Sequence, residues 1–328
     1  MEEIKVGIIG TGYYVPEKVL TNADLEKIVD TSDEWITTRT GIKERRIAGD
    51  GVASSDLARG AALKAIKNAG LKPEDIELII FATITPDMQF PSTACVLQDK
   101  IKAPKAACFD ISAACAGYVY GIVIAEKFIK SGLYKNALVV GAEKMTSITN
   151  WTDRNTCVLF GDGAGAAVLG AVDEGGILAT DLGSDGSQGW LLSLPAGGSK
   201  CPASHKTVDE HMHCVKMEGS ELFKRAVMIM ADTAKRAARK AGLKTGDEFD
   251  CVIPHQANIR ILNAVAKRLG LSEEKIFLNI ERYGNMSSAS TAVALAEAVE
   301  MGRIKKGDIV LLDAFGGGLV WGAIVIKW

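Results

Sequence analysis

Apolar positions along the chain fall into three patterns. Short unbroken runs such as LIIFAT (78–83) and ALVVGA (137–142) are apolar on both faces, as strands are in the middle of a sheet covered by helices on both sides. KAIKNAGLKPEDIELIIFA, from Lys64, reads as an amphipathic helix, a glycine stop, a polar turn and a buried strand. ACAGYVYGIVIAEKFI (114–129) and SSASTAVALAEAV (287–299), rich in alanine and glycine, are the best candidates for central helices that are apolar all round. HMHCVKMEG, from His211, alternates like an exposed strand.

These patterns recur. RAARKAGLKTGDEFDCVIPH, from Arg236, repeats the Lys64 segment, with matching glycines at 70 and 242. AEKFIKSGLYKNALVVGAE, from Ala125, matches AEAVEMGRIKKGDIVLLDAF, from Ala296, as helix, glycine turn and strand. GAGAAVLG, from Gly163, and GLVWGAIVIKW, from Gly318, close each copy. The repeat predicts two similar α/β halves, 1–172 and 173–328, packed as layers with helices sandwiched between two sheets.

Composition narrows the function. With 328 residues, 48% hydrophobic and 24% charged, the chain can bury one large core or two ordinary ones. A formal net charge of −2 offers no global attraction to nucleic acid or to anionic membranes. Seven cysteines without CxxC pairs argue against a disulfide framework and suit a reducing compartment. The start MEEIKVGIIGTG lacks the long apolar region of a signal peptide, and no run approaches the roughly 20 apolar residues of a membrane helix, so a cytoplasmic protein is expected.

Two glycine patterns fail as nucleotide sites. In GIIGTGYYVP the third glycine position is Val15, followed by Pro16; in FGDGAGAAVLG it is Ala166, and the chain enters a strand. Cys201, His205, His211, His213 and Cys214 crowd one segment, but their spacing fits no zinc pattern, so no metal site is expected.

His255 immediately follows a buried strand, where ligands collect in α/β folds, and Asn285 lies in a glycine-containing turn before a helix. Taken alone, His255 reads equally as a loop histidine held by backbone, and Asn285 as an Asx turn or N-cap. Cys115 among small residues reads as packing. The repeat changes this, because Cys115 and Asn285 are about one repeat length apart. A pseudo-twofold axis brings them together, with His255 at a strand end, as a constellation for nucleophilic catalysis.

NADLEKIVDTSDEWITTRTGI from Asn22, CAGYVYG around Cys115, FGDGAGAAVL, PHQANIRI, GNMSSAS and AFGGGLVWG form a co-linear set spanning essentially the whole chain. With these the sequence closely resembles the β-ketoacyl-acyl carrier protein synthase III enzymes of type II fatty acid synthesis, in the thiolase superfamily. The resemblance implies a five-layer αβαβα sandwich. It also implies a Claisen condensation in which an acyl group, acetyl above all, passes from coenzyme A to Cys115 and then to malonyl-acyl carrier protein as carbon dioxide leaves. The same machinery serves branched or longer primers and polyketide starters, and a catalytically dead partner subunit of this fold would have lost the nucleophile.

By this resemblance a helix N-terminus lowers the Cys115 pKa, and the backbone N–H groups of Cys115 and Gly317 form an oxyanion hole. His255 and Asn285 are the two neutral donors for the enolate left by decarboxylation. Trp35 and Arg154 flank the adenine of coenzyme A, Arg39 lies near its phosphates, and Asn258 and Gly219 line the pantetheine channel. Coenzyme A thioester is a substrate, and no cofactor is implied. Phe315 lines the active site, and Phe90 enters the partner's acyl pocket in a homodimer. Gln256, Ala257, Asn258, Ile259, Arg260, Lys267 and Arg268 receive the acidic carrier protein, with Arg260 and Lys267 on one helix face.

Overall fold

The computed structural model describes residues 4–244 and 246–328. The first half holds strands β1 (Val6–Tyr14), β2 (Val19–Thr21), β3 (Glu44–Arg46), β4 (Leu78–Ala82), β5 (Ala107–Ile111), β6 (Asn136–Lys144) and β7 (Asp162–Ala171). Its helices are α1 (Asn22–Leu25), α2 (Asp33–Thr40), α3 (Ser54–Asn68), α4 (Thr93–Ile101), α5 (Gly117–Lys130) and α6 (Arg154–Cys157). The second half holds β8 (Gly176–Ser184), β9 (Leu192–Ser193), β10 (Lys216–Met217), β11 (Cys251–Pro254), β12 (Ile309–Gly316) and β13 (Val320–Lys327). Its helices are α7 (His205–Asp209), α8 (Gly219–Lys240), α9 (Ile259–Leu269), α10 (Ile280–Tyr283) and α11 (Ser288–Glu300).

The main sheets run β1-β7-β6-β4-β5 and β8-β13-β12-β11. Both place an antiparallel strand pair beside the parallel pair that the helical crossovers create, β4 with β6 and β11 with β12. The counterpart of β5 in the second sheet shrinks to one bridge, Val252 to Ile276. Helix α3 packs on the outer face of the first sheet and α8 on that of the second, while α5 and α11 touch strands of both sheets. The five layers αβαβα follow.

Helix α11 is buried from Ser288 through Ala298. It departs from the expected all-apolar pattern at Glu297, whose charge is held by Arg282 at 2.9 Å on both carboxylate oxygens and by donors from Asn279 and Tyr283. A buried carboxylate is tolerable only with such a complete set of partners.

The two rejected glycine motifs have structural explanations. A Cβ on Gly12 of β1 would lie 2.5 Å from the Ala61 carbonyl oxygen of α3. One on Gly165 of β7 would drive into the α11 backbone at Ala292 and Val293. Here glycine lets helices rest directly on strands. The stretch from His211 expected to alternate as an exposed strand instead opens as a turn, with His211 at φ 52°, directly after the short α7 helix. His213 Nε2 pairs with Thr207 Oγ1 at 2.9 Å, which folds the turn back onto α7, and strand pairing begins only at Lys216.

Gly165→Ala is expected to destabilise the protein by about 1–3 kcal/mol or more through overpacking. Gly186→Ala, where a Cβ meets open space, should stay within about 0.5 kcal/mol. Denaturant midpoints of both variants check this.

Candidate active site

A cavity of about 1050 Å³ opens between the halves. The first half contributes Ser112 to Cys115, and the second contributes His255, Asn285, Ser287 and Gly316 to Gly318. The three residues singled out in the sequence therefore line one wall system.

Cys115 lies in a single 3-10 turn, Ala114–Ala116, immediately before α5 rather than within its first turn. Ala114 takes φ 42°, a conformation rare for a residue with a Cβ, which presents the next side chain sharply out of the preceding strand. Gly316, at the end of β12, backs directly onto this turn: a Cβ there would lie 2.6 Å from the Cys115 nitrogen. Gly317 lines the cavity one residue further on, against Leu192.

The sequence led to the expectation of a thiol acidified by the helix. Cys115 is instead only 8% exposed, and burial pushes its thiol up to about 12. The Ser287 hydroxyl pulls the other way, and Glu143 adds to the rise. Loss of water outweighs the Ser287 hydroxyl and the local backbone hydrogen bond, because an ion in a dry site forfeits its hydration.

His255 follows β11, and its backbone N–H donates to the Asp313 carbonyl oxygen at 2.7 Å. It is 2% exposed, and burial lowers its pKa to about 3, leaving a neutral imidazole. Asn285 is clamped by its backbone, its N–H donating to the Leu159 carbonyl and its carbonyl accepting from Gly161. Its side-chain Oδ1 accepts from the Ser287 N–H at 2.8 Å. With the oxygen so occupied, the amide's NH₂ is what Asn285 offers a ligand.

Behind the Cys115 turn sits Glu143 of β6, fully buried. It accepts hydrogen bonds from the Thr83, Thr85 and Ser288 hydroxyls and from the Ile84 and Thr85 N–H groups. It ties β4, β6 and the start of α11 into one block. Asp313 of β12 is also buried, with neither carboxylate oxygen partnered, and burial raises its pKa well above the ordinary range. Both acids escaped notice in the sequence, where they look like any strand-end carboxylate.

Trp35 and Arg39 of α2, Gly219 at the start of α8 and Asn258, the N-cap of α9, line the same cavity. Arg154 does not: it lies in an adjoining depression with Asp30 and Asn155. Its guanidinium stacks on the Trp35 ring at 5.1 Å, while Arg39 stacks at 4.7 Å. No room for a base remains between Trp35 and Arg154, so the pair expected to flank adenine contact each other here. Phe315 lines the cavity, whereas Phe90, 84% exposed, does not.

Arg260, Lys267 and Arg268 are exposed on α9, and Arg260 together with Lys224 of α8 rims the cavity. Lys224 was not foreseen. Ala257, Asn258 and Ile259 are half-buried at the same edge. Gln256 corrects the expectation: its side chain is fully buried, donating to the Pro254 and Phe277 carbonyls and accepting from the Asn279 N–H, so it cannot meet a docking partner. Among the described residues no group of His, Cys, Asp or Glu is placed to hold a metal ion.

Because the neutral thiol dominates well above neutrality, alkylation of Cys115 by iodoacetamide should rise about tenfold per pH unit between about pH 6 and 9 without a plateau. His255, neutral throughout that range, should add no inflection. Rates of alkylation at the Cys115 peptide, resolved by digestion and mass spectrometry from those of the other free cysteines, exposed Cys95 among them, check both points.

Residues 109–186 match the family model for 3-oxoacyl-[acyl-carrier-protein (ACP)] synthase III, and 238–328 that for its C-terminal part. The beta-ketoacyl-[acyl-carrier-protein] synthase III of Caldanaerobacter subterraneus subsp. tengcongensis is 57% identical over 328 residues, 100% of this chain and 99% of its own. That of Clostridioides difficile is 59% identical over 324 residues, covering 99% and 98%. The crystal structure of 3-oxoacyl-[acyl-carrier-protein] synthase III from Aquifex aeolicus VF5 has a TM-score of 0.91 at 50% identity, covering 98% of this chain and 100% of that one. The priming beta-ketosynthase of the R1128 polyketide pathway scores 0.92 at 33% identity, covering 99% and 97%. With half or more of its residues shared along its entire length, this chain belongs to the β-ketoacyl-[acyl-carrier-protein] synthase III family.

Proposed function

We propose that the protein condenses a short acyl-coenzyme A, acetyl-coenzyme A foremost, with malonyl-acyl carrier protein. The products are 3-oxoacyl-carrier protein, coenzyme A and carbon dioxide, the initiating step of fatty acid synthesis. The observation that carries this reading is one cavity lined by a cysteine from one half and by a neutral histidine and an oriented asparagine from the other.

In the first step Cys115 loses its proton as its sulfur attacks the thioester carbon. The tetrahedral oxyanion is met by the N–H groups of Cys115 and Gly317, and coenzyme A leaves with a proton on its sulfur. In the second step the malonyl carboxylate departs as carbon dioxide. The enolate oxygen left behind is held by His255 and Asn285, and its carbon attacks the acyl-cysteine carbonyl. The Cys115 thiolate leaves and is reprotonated from solvent. Neutral donors suit this task, because a cation there would hold the carboxylate in place and oppose its loss.

Trp35, Arg39 and Arg154 receive the nucleotide end of coenzyme A once Arg154 lifts from the Trp35 ring, with Gly219 and Asn258 along the channel. Arg260, Lys267 and Arg268, joined by Lys224, face the acidic carrier protein. Phe90, fully presented to solvent, and the outer edge of β5 support a homodimer in which Phe90 reaches the partner's acyl pocket. No resident cofactor or metal takes part. We divide the chain near residue 172, where one sheet ends and the other begins, and place the protein in the cytoplasm; no described helix is long and apolar enough to cross a membrane.

Intact mass after incubation with a panel of acyl-coenzyme A donors tests the reading. Acetyl-coenzyme A should add one acetyl group to the wild type and none to Cys115→Ser. No addition by any donor, or equal labelling of the serine variant, overturns it. Arg260→Glu should raise the KM for malonyl-carrier protein about tenfold while leaving acetylation by coenzyme A largely intact, as expected for a rim charge that steers encounter.

A further inference from the structure

Ser287 carries two local costs at the rim of the reacting sulfur. Its backbone takes φ 48° and ψ −124°, a strained conformation for a residue with a Cβ. Its hydroxyl is buried without a hydrogen-bond partner, in a residue only 1% exposed that lines the cavity. Among the neighbouring hydroxyls, that of Ser288 is shared between the Ala82 carbonyl and Glu143 and that of Ser290 accepts from the Met286 N–H, while Thr291, which does not line the cavity, is likewise buried without a partner. Glycine at 287 would remove both costs.

The backbone that bears this hydroxyl is fixed. The Ser287 N–H donates to Asn285 Oδ1 at 2.8 Å, and α11 begins at the next residue. The strained turn thus aims a free O–H into the cavity from the second half, while Cys115 arrives from the first. The start of α11 packs against the turn that carries Cys115, both residues line the one cavity, and the hydroxyl pulls the thiol's pKa down against the effect of burial.

We propose that the Ser287 hydroxyl is a further catalytic group that donates a hydrogen bond to the Cys115 sulfur as the thiolate forms. This rests on the reading of Cys115 as the acyl acceptor. Ser287 keeps its own proton throughout. The thiol proton ends on the sulfur of departing coenzyme A, the bond from acyl carbon to coenzyme A sulfur breaks, and the bond from acyl carbon to Cys115 forms. A charge-assisted hydrogen bond of this kind contributes most while the sulfur is anionic, and a neutral thioester has little use for it. The hydroxyl therefore helps the sulfur both to attack and, in the condensation step, to leave.

Ser287→Ala is the test, with Ser287→Gly beside it because glycine accepts the positive φ without strain. Acetyl transfer from acetyl-coenzyme A is followed by intact mass and alkylation by iodoacetamide at the Cys115 peptide, and carbon dioxide release from malonyl-carrier protein is measured in parallel. Both thiol reactions should slow about tenfold relative to carbon dioxide release in both variants, the size of one lost charge-assisted bond. Thiol reactions within about twofold of wild type overturn the proposal, as does a uniform fall of all three activities, which marks a structural role. If wild-type Cys115 accepts no acyl group from any donor, the reading of the nucleophile has failed instead, and the wild-type lane reports that separately.

Discussion

The site depends on how closely the backbone of the second half can approach the turn that carries Cys115. Gly316 lies against that turn with no space for a methyl group, and the start of α11 passes over β6 and β7 where Gly141 and Gly165 leave their surfaces bare. These contacts are backbone to backbone, so they set the position of Cys115 against Asn285 and Ser287 more rigidly than side-chain packing could. Glu143 reinforces the same junction, gathering donors from the loop after β4 and from the start of α11 into one buried cluster.

Close approach also excludes water, and that governs the chemistry. Cys115 and His255 are both buried, and the same desolvation drives them in opposite directions on the pH scale, to a neutral thiol and a neutral imidazole. A site of uncharged groups is a poor place for a resting ion pair and a suitable one for charge that appears only transiently. In the proposed reaction, preorganised donors act at full strength, because no solvent must rearrange around the oxyanion or the enolate. Two points of strained backbone, Ala114 beside Cys115 and Ser287 in the other half, line the same cavity. The surrounding sheets hold both in place.

The outer surface follows different physics. Arg154 rests on Trp35, and Arg260 over the Phe223 ring at 5.6 Å, so cations around the entrance are stacked on aromatics when no ligand occupies them. Such contacts are exposed and modest in strength, which lets a ligand displace them.

Much was legible in the sequence because it depends on local pattern. The runs at 78–83 and 137–142 are buried strands, the segments at 117–130 and 288–300 are the central helices, and the repeat that relates them appears as two sheets of matching strand order. The pairing of Cys115, His255 and Asn285 around one cavity also followed, since the repeat encodes a symmetry axis. The turn at His211 did not, because it is set by the positive φ of His211 and the contact of His213 back to Thr207 rather than by the alternating pattern. Only the tertiary structure decided which side of Gln256 is buried, whether Arg154 and Trp35 stand apart or touch, and what protonation state Cys115 holds. It alone gave Ser287 its positive φ and unpartnered hydroxyl. Each of these is set by contacts between residues far apart in the chain, and the free energy of a buried charge or a strained torsion exists only once those neighbours have excluded the water.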